Sequence, residues 1–235
     1  MADRPWPSVL IPSSEQWGLK NSSRSGGQSF TGAEQVVMSP AARWAASLTI
    51  PCNNREKILA LRSATLLGRA QNWIIGPVEV TRAPWWIDPI YGTPVTYGIG
   101  ARDAAVDPAY ETHPDTASTL DFRAASPAPM NATQMAVYRF RGGHLFPGQF
   151  FSIANRLYQI ATLDSPDPTD PNTGLAVPEA IVISFRPWLR APVSTGDAIE
   201  FGRPVSTMRL ASDDTGALAL QLSRLGPATL DLVEA

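Results

Sequence analysis

Several things are scarce in this sequence. One cysteine, Cys52, stands among 235 residues, so no disulfide framework staples the chain. We read that thiol as a small buried group rather than a nucleophile. Two histidines, His113 and His144, are too few for a histidine-rich metal site. Charged residues make up 17 %, below the roughly 25 % of ordinary soluble domains. The 19 basic and 21 acidic residues leave a net charge of −2, which gives no bulk attraction to nucleic acid. No apolar run approaches the roughly 18 residues of a bilayer span, so no membrane partner is expected. The opening MADRPWPSVLIP lacks the basic and long apolar stretches of a secretory leader, which points to assembly in a cytoplasm.

Catalytic signatures are also missing. No G-x-S-x-G elbow occurs, and neither histidine lies in a triad-like setting. His144 follows Gly142-Gly143 and reads as an exposed loop histidine. Any chain with this many acids permits a carboxylate pair, so a glycosidase-like pair has no specificity here. Gly26-Gly27 and Gly142-Gly143 match no phosphate-binding pattern. Asp164, Asp167 and Asp170 recur every third residue in DSPDPTDPNTG, but the closing glutamate of a calcium loop is absent. That run reads as a proline-stiffened, solvated loop. Tyr138, Arg139, Phe140 and Arg141 come nearest to a nucleic-acid groove, in a chain whose charge does not support one. The expectation is a protein that is not an enzyme, with no catalytic residue, no metal and no cofactor.

What is present is proline, 22 residues, with seven tryptophans and 44 % hydrophobic residues. The prolines exclude long helices. The apolar content excludes disorder of the whole chain. Trp44–Pro51 reads as a strand with Leu48 and Ile50 on one face. Asn53 or Asn54 then caps a helix from Arg55 to Leu67, stopped by Gly68, with an apolar face of Ile58, Leu59, Leu61 and Leu66. From residue 137 onward short strands alternate with turns: 137–140, a hairpin over 150–163 turning near Asn155-Arg156, 180–185 with both faces suited to burial, 198–201, 207–210, 217–222 and 228–233. Residues 1–43 read as an irregular extended arm. The count is one helix and ten to fourteen short strands, a β-rich sandwich or barrel assembly.

Aromatic and arginine side chains are the candidate contact residues. They are Trp6, Trp17 and Phe30 in the arm, Trp85 and Trp86 in the middle, and Arg186, Trp188 and Arg190 in RPWLR. Such residues are enriched at interfaces. Trp85-Trp86 reads either as a buried anchor or as an exposed contact, and exposed it would be a stacking platform in a carbohydrate- or receptor-binding tip module. A wall-degrading enzyme is conceivable on composition alone.

Three elements occur in a telling order: WAASLTIP…REKILALRSATLLG (44–68) with an aromatic strand at Trp73; G-x-F-F-S-I…R-L-Y-Q-I (148–160) leading to RPWLR; and T-G-D-A-I-E-F-G-R-P…M-R-L (195–210). In this the chain resembles the distal tail proteins of long, non-contractile-tailed bacteriophages. The resemblance covers about half the chain. It implies a virion structural protein, a homohexameric ring at the tail tip (baseplate) between the tail tube protein and the tail hub, near the tape-measure protein. It also implies a β-sandwich belt domain with one packed helix and an inserted small β-barrel, OB-like or similar. On this sequence the belt would be 1–84 and 191–235, and the barrel 85–190. The proline-rich stretch 100–130 has no place in a minimal barrel.

Overall fold

The computed structural model describes residues 3–21, 23–28, 30–32, 34–78, 83–84, 86–87, 94–95, 120–141, 144–165, 180–216 and 226–235. The chain divides into two compact units, one of residues 1–78 and 205–235 and the other of residues 79–204. In chain order the terminal unit begins with strands β1 (Arg4–Pro5), β2 (Ser14–Lys20), β3 (Ser23–Gln28), β4 (Glu34–Met38) and β5 (Arg43–Pro51). Helix α1 (Arg55–Leu66) and strand β6 (Trp73–Ile75) follow. The inserted unit holds β7 (Trp86–Ile87), β8 (Pro94–Val95), β9 (Asp121–Ala124), β10 (Gln134–Arg141), β11 (Phe150–Ile153), β12 (Arg156–Leu163), β13 (Ile181–Arg186) and β14 (Ala198–Ile199). The chain then returns to the terminal unit with β15 (Ser206–Leu210) and β16 (Pro227–Glu234). The protein is therefore mainly β, with one α-helix and an inserted small barrel among the described residues.

The terminal unit is built on a six-stranded sheet in the order β1-β6-β15-β16-β5-β2. Strand β5 alternates as its sequence demands: Trp44, Ala46, Leu48 and Ile50 are buried and the residues between them half-buried. Its partner β16 buries Ala228, Leu230 and Leu232 on the same face. Asn54 caps α1 by accepting a hydrogen bond from the Lys57 N–H at 2.8 Å. Gly68, at φ 54°, ends it in the left-handed conformation. The helix buries Leu61 and Ala64, while Leu59 and Leu66 lie on its exposed side. That corrects the expected apolar face. Leu59 and Leu66 stand about half a turn away from Leu61 at 100° per residue.

The arm expected over 1–43 is also corrected. Residues 3–20 belong to the sheet: β1 runs parallel to β6, and β2 pairs antiparallel with β5 over seven residues from Ser14↔Thr49 to Lys20↔Arg43. Leu10 between them is fully buried. Only β3 and β4 stand apart, as a separate two-stranded ribbon.

The inserted unit is a six-stranded antiparallel sheet in the order β11-β12-β13-β10-β9-β14. Its two end strands meet. The Ser152 N–H donates to the Glu200 carbonyl at 2.8 Å, and the Glu200 N–H donates back to Ser152 at 2.9 Å. This single bridge brings the sheet nearly to closure, a barrel-like sheet of six strands where an oligonucleotide/oligosaccharide-binding barrel has five. Phe151 sits at the centre of its core, with ring centroids 5.4 Å from Tyr158, 5.6 Å from Phe185 and 5.3 Å from Phe201. The β11–β12 hairpin turns on Ala154 and Asn155, both at positive φ (47° and 60°), as a two-residue type I′ turn requires. Strand β13 alternates buried and half-buried residues rather than burying both faces.

The boundary placed at 190/191 moves to 204/205. Residues 191–204 complete the barrel: Val193 bridges Ala128, β14 pairs with β9, and Glu200 seals β11. The first boundary, placed at 84/85, moves to 78/79, and Ala83 packs on the barrel core. The strand expected over 217–222 and most of the stretch 100–130 lie outside the described residues.

Candidate subunit interface

Two features of the terminal unit stand out among the described residues: an exposed ribbon and an open strand edge. The first is the ribbon of β3 and β4. Every β4 residue is exposed, and so are the described side chains of β3. Val36 is 58 % exposed, Val37 55 %, and Phe30 at the tip is fully exposed. A two-stranded ribbon is at best marginally stable alone in water. Its exposed apolar side chains make it a candidate contact surface.

The second feature is the free edge of β2, the last strand in its sheet. Glu15, Trp17 and Leu19 lie on the inner face, opposite Leu48, Ala46 and Trp44. Ser14, Gln16, Gly18 and Lys20 are exposed on the outer face. There a shallow groove of about 430 Å³ runs past Gln16, Gly18, Lys20, Ala45, Ser47 and Asp231. The Glu15 carboxylate accepts from the Trp17 indole N–H at 3.1 Å and from the Val78 N–H at 2.9 Å, which holds the strand against the chain's exit from this unit. The opposite end of the sheet is blunt, because β1 has two residues and one is Pro5.

The expected contact residues fall into four groups. Among the described side chains, Phe30 is the one that protrudes. Trp6 and Trp17 turn inward: the Trp6 indole donates to the Leu10 carbonyl at 3.0 Å and meets Trp73 edge-on at 5.6 Å. In the barrel Arg186 and Trp188 are half-buried, and so is Arg190. The Arg186 Nη1 donates to the Phe185 carbonyl at 2.7 Å, and the Arg190 N–H donates to the Tyr158 hydroxyl at 3.2 Å. The second of these bonds ties the RPWLR segment to β12, and all three side chains stay partly exposed. Trp85 lies outside the described residues; Trp86 is described only through its backbone, paired with Val95.

Sequence reasoning missed Val36 and Val37. The run EQVVM between Gly32 and Pro40 carries the signal of a short strand bounded by breakers. Surrounded by serine and glycine, it read as irregular.

Arg139 is fully buried in β10, so it offers no charge to a surface groove. Asp164, at the start of the polar loop, accepts from Gln134 Nε2 at 2.9 Å, from Thr162 Oγ1 at 3.0 Å and from the Ser184 hydroxyl. These three donors, Ser184 foremost, hold its carboxyl below the ordinary carboxylate value. Asp167, Asp170 and His113 lie outside the described residues. Burial pushes the Cys52 thiol up, against a smaller opposing pull from Lys57, and its Sγ–H points to the Ile50 carbonyl at 3.7 Å. Among the described residues no group of three His, Cys, Asp or Glu could hold a metal ion, and no helix is long and apolar enough to cross a membrane. Compared with known proteins, the chain matches no family model and no curated relative.

Proposed function

We propose that this protein is a structural part of a bacteriophage tail tip, a ring subunit of the distal tail type joining the tail tube to the host-recognition end. The reading begins in the motifs of residues 44–68, 148–160 and 195–210. One structural observation carries it furthest. A helix-bearing sheet receives a closed barrel between two adjacent strands and also projects a ribbon whose apolar side chains find no cover in their own unit. Such a subunit has stable cores in both units and a surface that a neighbour must cover. A head-to-tail contact repeated under rotation closes into a ring. The partners of this reading are further copies of the chain, the tail tube protein, the hub and the tape-measure protein, and its place is the virion, assembled in the host cytoplasm.

The test is the mass and shape of the purified full-length chain. Sedimentation velocity and negative-stain microscopy at rising concentration should give rings, six copies on the hexameric reading. A strict monomer at the highest concentration, with no labelling of the tail tip by antibody, overturns it.

A further inference from the structure

The ribbon and the free edge of β2 complement each other. We propose that β4 of a second copy of this chain adds antiparallel to β2, with Glu34 opposite Lys20. This deepens the ring reading above and rests on it for the identity of the partner.

Backbone chemistry supplies the first argument. Along the seven residues of β2, every second N–H and C=O points away from β5, and no described strand accepts them. On the ribbon side β3 is the one described strand that pairs with β4. An edge of this length is a template for strand addition. In its own chain β4 is committed elsewhere, because Ser39 and Ala42 are buried on the way to β5 on the opposite side of β2.

The side chains choose the register. With Glu34 opposite Lys20, Val36 stands opposite Gly18 and Val37 opposite Trp17. The outer face then gains an opposite-charge pair. The inner face gains an aromatic–β-branched pair, a favourable cross-strand combination. Val36 enters the groove exactly where side-chain volume is missing: a Cβ on Gly18 would have no atom within 4 Å. A slip of one residue turns Val37 to the outer face and points Glu34 inward. A slip of two places either Val37 opposite Glu15 or Val36 opposite Lys20, and loses the ion pair. The donor edge and the acceptor edge are different surfaces, so on the ring reading the contact is head-to-tail and propagates from copy to copy; reciprocal pairing of the two edges would stop at a dimer.

Engineered thiols test it in the full-length chain. Lys20→Cys and Glu34→Cys are made separately, mixed in equal amounts and oxidised. Both positions are exposed, and the native Cys52 is 1 % exposed, so wild type serves as the uncrosslinked control. Melting curves confirm that each variant is folded. The mixture should give one covalent dimer and neither variant alone should. The yield should exceed at least tenfold that of Lys20→Cys mixed with Gln35→Cys, whose thiol faces the other way. The double variant Lys20→Cys/Glu34→Cys should give a ladder. An oligomer by sedimentation without preferential cross-linking of positions 20 and 34 overturns the strand addition and leaves the ring reading standing. Preferential cross-linking whose ladder stops at a dimer upholds the strand addition and overturns the ring. A monomer with no cross-link overturns both.

Discussion

Ile75 and Ser206, 131 residues apart in sequence, stand directly opposite each other in the antiparallel ladder of β6 and β15, where the chain leaves the terminal unit and returns to it. The two ends of the insertion therefore leave adjacent strands, the geometry of an ordinary hairpin connection. A barrel occupies the place of a turn.

That geometry makes the terminal unit separable. Replacing residues 79–204 with Asn-Gly should leave a soluble protein that unfolds cooperatively, because Trp73, Ile75, Met208 and Leu210 keep their ladder and their burial. Thermal melting followed by circular dichroism checks this. Absence of a cooperative transition would show that the sheet needs the barrel to fold.

Gly216→Ala should destabilise the same unit by about 1–3 kcal/mol. Gly216 has φ 81°, and a Cβ there would lie 2.7 Å from Leu230 Cδ2 and 3.0 Å from Thr65 Cγ2, pinched between strand and helix. Urea denaturation of the variant measures the loss. A change under about 0.5 kcal/mol, the range of surface substitutions, would refute the packing described.

In the barrel, Phe151→Ala should cost about 3–5 kcal/mol, the range for a buried aromatic. Its ring contacts three other aromatic side chains at once and is fully buried. Hydrogen exchange should show the effect locally. Amides of β10, β12 and β13 lose protection, while those of β5 and β16 keep it. Equal loss in both sets would mean that the two units unfold as one.

Asp164 gives the barrel an acid-sensitive element. Its folded carboxyl titrates below the ordinary value, so the stabilisation from Gln134, Thr162 and Ser184 is fully present above the unfolded pKa of about 3.9. It is lost as pH falls through the lower, folded value. Wild type should melt higher than Asp164→Asn at neutral pH, and the gap should close as the solution is acidified past that point. A gap that widens on acidification would reverse the assigned direction.

Local signals carried much of the fold. Strand β5 was legible from the alternation in WAASLTIP, and α1 from Asn54 and Gly68, because burial period and cap chemistry are written in neighbouring residues. The ribbon was illegible for the same reason reversed. With no described side chain of Ser23–Gln28 buried on either face, the segment has no period to display, and its pairing with Glu34–Met38 leaves no mark in composition. The end of the barrel was missed because β14 is two residues long and its placement depends on Arg123 and Phe122, and on the bridge from Ser152 to Glu200, pairings that span 48 or more residues. Tryptophan was a poor guide to the contact surface. Trp6 and Trp17 satisfy their indole N–H groups inside their own unit; the open edge carries Gly18 and Lys20, and the exposed ribbon carries Val36 and Val37.

The seal between Ser152 and Glu200 has a consequence for how such a protein can change over time. A sheet whose first and last strands bind each other leaves no free edge among its six described strands, so an added strand finds no unpaired ladder there. The terminal sheet keeps the edge of β2 open. If copies of the chain meet at that edge, as proposed above, substitutions on the six-stranded sheet of the insertion leave that ladder untouched.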